Sequence, residues 1–188
     1  MVVSGPSGAG KTSVMRRVYG SCALPLRRSV SATTRPPRPD EINGRDYYFL
    51  SEEEFQLRRQ RGEFLESCQV YNQNFWYGTL WSEVAPSLEA GNWVILEIDV
   101  QGAQEVAKQF PDALTIFIRP SSLAELRRRL LARGTEPDEA IEGRLAQAQK
   151  ESALAEQYQY QVVNDDLEQA VQEICSILST EWEKWKKR

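Results

Sequence analysis

Residues 5–12 read GPSGAGKT. Three glycines, a lysine and a hydroxyl at this spacing suit a ligand carrying several anionic oxygens. Gly5, Gly8 and Gly10 let the backbone curl with its N–H groups inward around an anion. Pro6, Ser7 and Ala9 fill the turn. Lys11 adds a point charge for the terminal phosphates of a nucleoside triphosphate, and the Thr12 hydroxyl is a ligand for Mg2+. A second stretch, TTRPPRPDEINGRDYY at 33–48, holds Arg35, Arg38 and Arg45. Prolines 36, 37 and 39 restrict the backbone around the first two. A guanidinium fork matches phosphate oxygens in pairs, and stiff presentation lowers the ordering cost of binding. The chain has no histidine. Histidine-based metal sites, Ser-His triads and histidine general bases are excluded, so any catalysis runs on Lys, Arg, carboxylates, hydroxyls and backbone amides.

These groups need a scaffold. Val2-Val3 forms a short strand running into the glycine loop, and the pattern predicts a helix from Lys11 to about Tyr19. RRSVS at 27–31 and DYYFL at 46–50 read as strands. Ser51 and Glu54 form a capping signature before a helix to about Arg61. EFLESCQVY at 63–71 alternates as a strand does, and a helix over 81–90 stops at Gly91. NWVILEID at 92–99 and ALTIFI at 113–118 are apolar runs fit for parallel strands buried on both faces. Helices are predicted at 122–133, 137–157 and 166–187, with a strand YQVVN at 160–164. The alternation predicts an α/β fold with a parallel sheet. Segment 32–80 breaks the rhythm and reads as an inserted, more β-rich lobe.

The bulk numbers agree with one globular domain. The chain has 188 residues, 41% hydrophobic and 27% charged, with net charge −4 and pI about 5.1. An acidic balance speaks against broad nucleic-acid binding. No apolar run is long enough for a membrane helix, and the first residues lack a signal layout. Cys22, Cys68 and Cys175 are distant in sequence and form no CxxC pair, which predicts reduced thiols and a cytoplasmic location.

Taken in order, GPSGAGKT, SVSATTRPPRPDEINGRDYYF, GEFLE, YGT, LEIDVQGA, RGTE and VVNDD resemble the guanylate kinase family along essentially the whole chain. The resemblance implies a P-loop kinase fold with a three-layer core, an inserted GMP-binding lobe and a helical lid. The core would comprise 1–31, 81–123 and 151–188, the lobe 32–80 and the lid 124–150. It implies Mg-dependent transfer of the γ-phosphoryl group of ATP to GMP or dGMP, with no obligate protein partner, nucleic acid or membrane. By the same resemblance Arg35, Arg38, Glu41, Tyr47 and Tyr77 hold the GMP phosphate region, and Ser31, Glu66, Thr79 and Asp99 contact guanine. Glu97 and Asp99 end the central strand, where an acid, Glu97 first, would organise Mg2+ through water or else serve as a helix cap or loop acid; Arg133 and Arg144 close over the ATP phosphates, and Asn164 lies beside adenine. The run Arg127-Arg128-Arg129 includes solvated helix positions and is assigned no role, and Asp165 and Asp166 read as the cap of the last helix. Three departures stand out: a Glu66–Tyr77 spacing longer by two residues, Glu97 in place of an aspartate, and a very short first strand that leaves room for residues ahead of it.

Chemistry supports the base assignment. A carboxylate at Glu66 accepts from guanine N1–H and the 2-amino group together, whereas adenine offers neither and would leave a buried acid unpaired. The acceptor is a phosphate oxygen, already anionic, so a chain without histidine lacks nothing it needs. The reading expects the lobe and the lid to close by hinges when substrates bind. Three rivals remain open at this point. A non-catalytic scaffold module would not require Lys11 and Thr12. A GTPase is suggested only by the loose D-x-x-G at 99–102, without any N-K-x-D. A kinase for another nucleoside monophosphate or a sugar phosphate would share the phosphate loop.

Overall fold

The computed structural model describes residues 1–69, 74–133 and 138–187, with the side chains of 133 and 138–140 excepted. Two compact units emerge, Met1–Val3 with Pro25–Leu114 and Ser4–Leu24 with Thr115–Arg188.

In the first unit, β7 (Trp93–Glu97) is flanked by two parallel partners. β2 (Leu26–Arg28) aligns Leu26 with Trp93, and β1 (Val2–Ser4) aligns Val2 with Leu96. Val94, Ile95 and Leu96 are buried in succession, as a strand covered on both faces requires. A second sheet runs β4 (Tyr48–Phe49), β3 (Ser31–Thr33), β6 (Trp76–Leu80), β5 (Phe64–Gln69). Its register sets Glu66 opposite Thr79, Cys68 opposite Tyr77 and Ser31 opposite Thr79. Helix α2 (Glu52–Gln60) starts where expected: Ser51 Oγ accepts from Glu54 N–H, a cap worth about 1 kcal/mol. It buries Phe55 against Phe64 at 4.4 Å between ring centres. Helix α3 (Trp81–Glu89) ends before Gly91, whose φ is +74°. Helix α4 (Val100–Gln109) buries Val100, Ala103 and Val106.

In the second unit, β8 (Thr115–Arg119) and β9 (Tyr160–Val163) pair in parallel. Helix α1 (Lys11–Ser21) buries Val14, Met15 and Val18, and α7 (Leu167–Lys186) buries Ala170, Val171, Ile174 and Leu178. Arg17 on α1 bonds Glu168 on α7 at 2.6 Å, a mostly exposed pair that adds little stability. Helices α5 (Leu123–Arg133) and α6 (Asp138–Ser152) enclose Leu126, Leu130, Ile141 and Ala148.

The α/β expectation holds, with local differences. The stretch read as one strand at 27–31 is two, β2 and β3, interrupted at 29–30. The strand read over 46–50 shrinks to Tyr48–Phe49. The helix read over 137–157 ends at Ser152, and a separate turn of 3-10 helix covers Ala155–Gln157. Two elements had no counterpart in the sequence reading, β6 and α4. Asp166 caps α7 as expected by accepting from Gln169 N–H, but Asp165 accepts from Ser121 N–H and braces the β8–α5 turn instead.

A candidate nucleotide-phosphate and base site

The threonines at 33–34 pin the arginine stretch to β6. Thr33 Oγ1 donates to the Trp76 carbonyl at 2.9 Å, and Thr34 Oγ1 accepts from Trp76 N–H at 2.9 Å. Arg35 then turns inward. Its Nη2 donates to both oxygens of Glu41, at 2.8 and 2.9 Å, and its Nη1 donates to the Pro36 carbonyl. The guanidinium lies 5.4 Å from the Tyr47 ring centre and also bonds the Tyr77 side chain. Burial pulls the Arg35 pKa down, but the bonds from Glu41 and Tyr77 win and hold it above its ordinary value. Glu41 also accepts from Arg38 N–H at 2.8 Å, and these bonds outweigh its partial burial to keep it below the usual carboxylate range. The Arg38 side chain is exposed. Stiffness here therefore comes from the Arg35–Glu41 pair and the aromatic walls as much as from the prolines.

Glu66, Thr79, Asp99 and Cys68 lie behind this cradle. Glu66 is 4% exposed and accepts from Thr79 Oγ1 at 2.7 Å. Burial, then the charges of Asp99 and Glu105, push its carboxyl up to about 8 against the opposing Thr79 bond. Gly102 leaves room for it: a Cβ there would sit 2.5 Å from Glu66 Oε2. Asp99 caps α4, its Oδ1 accepting from Gln101 and Gly102 N–H. Ser31, half-buried, pairs with Thr79 across the sheet. Glu97 is nearly buried and faces Arg28 at 3.5 Å. Arg28 also donates to the carbonyls of Arg45 and Asp46, so it braces the arginine stretch, a task the sequence reading did not assign.

The phosphate loop lies in the other unit. Gly5 has φ +143°, and a Cβ there would meet the Ile118 carbonyl oxygen at 2.0 Å. Gly10, φ +86°, opens α1 with no side-chain cap, and the first helical turn carries no acid. An uncapped helix start with free amide hydrogens is a natural seat for phosphate. Lys11 Nζ rests on the Gly5 and Pro6 carbonyls at 2.5 and 3.1 Å. The exposed Thr12 follows on the first turn. Asn164, 6% exposed, donates from Nδ2 to the Ala9 carbonyl at 2.8 Å. Arg144 Nη2 donates to Ser7 Oγ at 3.1 Å. The Arg133 side chain, the 70–73 part of the lengthened Glu66–Tyr77 spacing and most of RGTE lie outside the described residues.

One arginine of the unassigned run 127–129 is drawn inward. Arg129 is half-buried; it donates to the Asn164 carbonyl and to Glu125, and its Nη1 comes within 3.5 Å of the Ala9 carbonyl. Its signal was faint: it falls between Leu126 and Leu130, both buried, on an otherwise charged helix. All three cysteines are free thiols, as expected. Cys22 and Cys175, distant in sequence, are hydrogen-bonded to each other.

A glycine loop with Lys-Thr opening a helix, on an α/β fold with parallel strands, defines a P-loop nucleotide-binding fold. Shikimate kinase from Bacteroides thetaiotaomicron shares that fold, with TM-score 0.51 and 18% identity over 95% of this chain and 96% of the other. The chain belongs to the guanylate kinase family, whose model matches residues 1–181. The guanylate kinase of Rhodopirellula baltica is 50% identical over 95% of this chain and 86% of that protein. That of Thermotoga maritima is 45% identical over 96% and 86%. The crystal structure of guanylate kinase from Anaplasma phagocytophilum superposes with TM-score 0.79 at 32% identity, over 96% of this chain and 84% of the other. Among the described residues, no helix is long and apolar enough to cross a membrane.

Proposed function

We propose that this chain transfers the γ-phosphoryl group of ATP to GMP, and more slowly to dGMP, giving ADP and GDP in the cytoplasm. The observation that carries the reading is Glu66: a buried carboxylate, bonded to Thr79, two positions along the paired strands from Tyr77 and its Arg35. Few ligands would justify a buried acid beside an arginine cradle. A guanine base with its own phosphate offers N1–H and an amino group to the acid and two oxygens to the arginines.

On this reading the loop 5–12, with Lys11, Arg144 and Arg133, holds the ATP phosphates, and Asn164 and Arg129 border the adenine. Arg35, Arg38, Tyr47 and Tyr77 hold the GMP phosphate, with Glu41 orienting the two arginines. Ser31, Glu66, Thr79 and Asp99 read the base. The Thr12 hydroxyl, exposed at the start of α1, is a hard oxygen donor that fits Mg2+, a cation content with few protein ligands. Mg2+ supplies neutralisation of charge on the ATP phosphates when bound.

No residue removes a proton from the attacking oxygen, which is ionised beforehand. Lys11 leaves its carbonyls for phosphate oxygens, and Arg35 keeps its charge at any accessible pH. Segments 32–80 and 124–150 close over GMP and ATP respectively, excluding water.

A coupled ADP-release assay with GMP, AMP, CMP, UMP or no acceptor tests the reading. GMP alone should give turnover above the no-acceptor rate. Release that ignores the acceptor would make the chain an ATPase, and none at all would make it a binding module. Arg38→Ala should lower kcat/KM for GMP by roughly tenfold or more, the scale of one lost charge-assisted contact.

A further inference from the structure

Asp99 is held on both carboxylate oxygens. Oδ1 is taken by the two backbone amides at the start of α4. Oδ2 accepts from the thiol of Cys68 at 2.9 Å. Cys68 lies on β5 two residues beyond Glu66, so both side chains project from the same face of the strand. It is 7% exposed. Burial and the neighbouring Asp99 charge raise the thiol's pKa far above its ordinary value, so it remains a donor at physiological pH.

The surroundings explain why a donor matters here. Glu66 and Glu105 both face this region, Glu105 reaching Ser67 N–H at 3.4 Å. Once a guanine takes Glu66 to its ionised form, like charges would turn Oδ2 of Asp99 away from it. A thiol hydrogen on Oδ2 opposes that, and leaves a second lone pair on the same oxygen for a ligand.

We propose that Cys68 is a positioning residue for base recognition: its thiol fixes Asp99 so that Oδ2 meets the exocyclic 2-amino group of the purine beside Glu66. The inference rests on the GMP reading above. It assigns the 2-amino group to the Cys68–Asp99 pair and leaves N1–H mainly to Glu66.

The test uses Cys68→Ala and Cys68→Ser with GMP and with IMP, which keeps N1–H and lacks the 2-amino group. C68A should raise KM for GMP about fivefold, the size of one net hydrogen bond, while KM for ATP stays within about twofold. KM for IMP should move less than about twofold, so the preference for GMP over IMP shrinks. C68S, whose hydroxyl donates in place of the thiol, should restore the preference. Equal losses with both acceptors, or C68S no better than C68A, would mean that Cys68 only packs, and would overturn the inference. Asp99→Asn and Glu66→Gln separate the two levels. If both weaken GMP while C68A does not, only the role of Cys68 fails; if neither affects GMP, the base reading itself falls.

Discussion

GMP binding should expel a proton, and Glu66 sets how much. Its carboxyl stands at about 8 in the ligand-free chain against an ordinary 4.5, chiefly through burial. At pH 7 roughly nine in ten molecules therefore hold a proton on Glu66. A guanine donating its N1–H to that side chain needs it ionised. Binding at pH 7 should then release about 0.9 proton from this group, and the affinity for GMP should fall about tenfold for each pH unit below 8. Calorimetric titration of GMP in two buffers of different ionisation enthalpy reads the proton count directly. The GMP phosphate also titrates, near pH 6. Glu66→Gln supplies the reference, because it keeps that titration and removes the carboxyl. Wild type should release about 0.9 proton more than E66Q at pH 7. Equal release in both would refute the assignment of guanine to an ionised Glu66. Folding stability follows with a definite sign. The native state holds the proton more tightly than the unfolded chain, so the contribution is complete below about pH 4.5 and is lost as pH rises through about 8. The ceiling is about 5 kcal/mol at 1.4 kcal/mol per pKa unit. E66Q should therefore lose less melting temperature than wild type between pH 5 and 9.

Other perturbations follow from single contacts. Lys11→Met should reduce kcat by about a thousandfold or more, with circular dichroism and melting close to wild type, since Lys11 Nζ bonds the Gly5 and Pro6 carbonyls of its own loop. Gly102→Ala, placing a methyl 2.5 Å from Glu66 Oε2, should raise KM for GMP by roughly tenfold while KM for ATP and thermal stability hold, because alanine favours the helix by about 1 kcal/mol. Asn164→Ala strips the Ala9 carbonyl of its 2.8 Å partner; it should cost about 1–3 kcal/mol in denaturant melts and raise KM for ATP, leaving KM for GMP near wild type.

The phosphate loop was legible because its determinants are local. Glycines at fixed positions, a lysine and the start of a helix lie within eight residues, and the backbone conformation that they require is encoded by what glycine alone tolerates. The buried strands at 93–97 and 115–119 were legible for a similar reason, as unbroken apolar runs. Helix α4 was not, because Asp99 was weighed first as a ligand, with a helix cap as the alternative, and Gly102 weakens the helical signal; Asp99 caps the helix, and Gly102 makes room for Glu66. Strand β6 was hidden by Gly78, which a partner strand crowds: a Cβ there would meet the Glu66 carbonyl oxygen at 2.8 Å.

Sequence alone determined which charges the chain carries, that it has no histidine, and that one loop is built to cradle phosphate. Tertiary structure decided which of those charges are spent on the protein itself. Arg35 is clasped by Glu41, Arg28 braces a loop, Arg129 joins Asn164, and Cys68 reaches an aspartate 31 residues away. A residue's type fixes what it can donate or accept. How deeply it is buried, and which partner the fold brings within about 3 Å, fixes whether that capacity remains for a ligand.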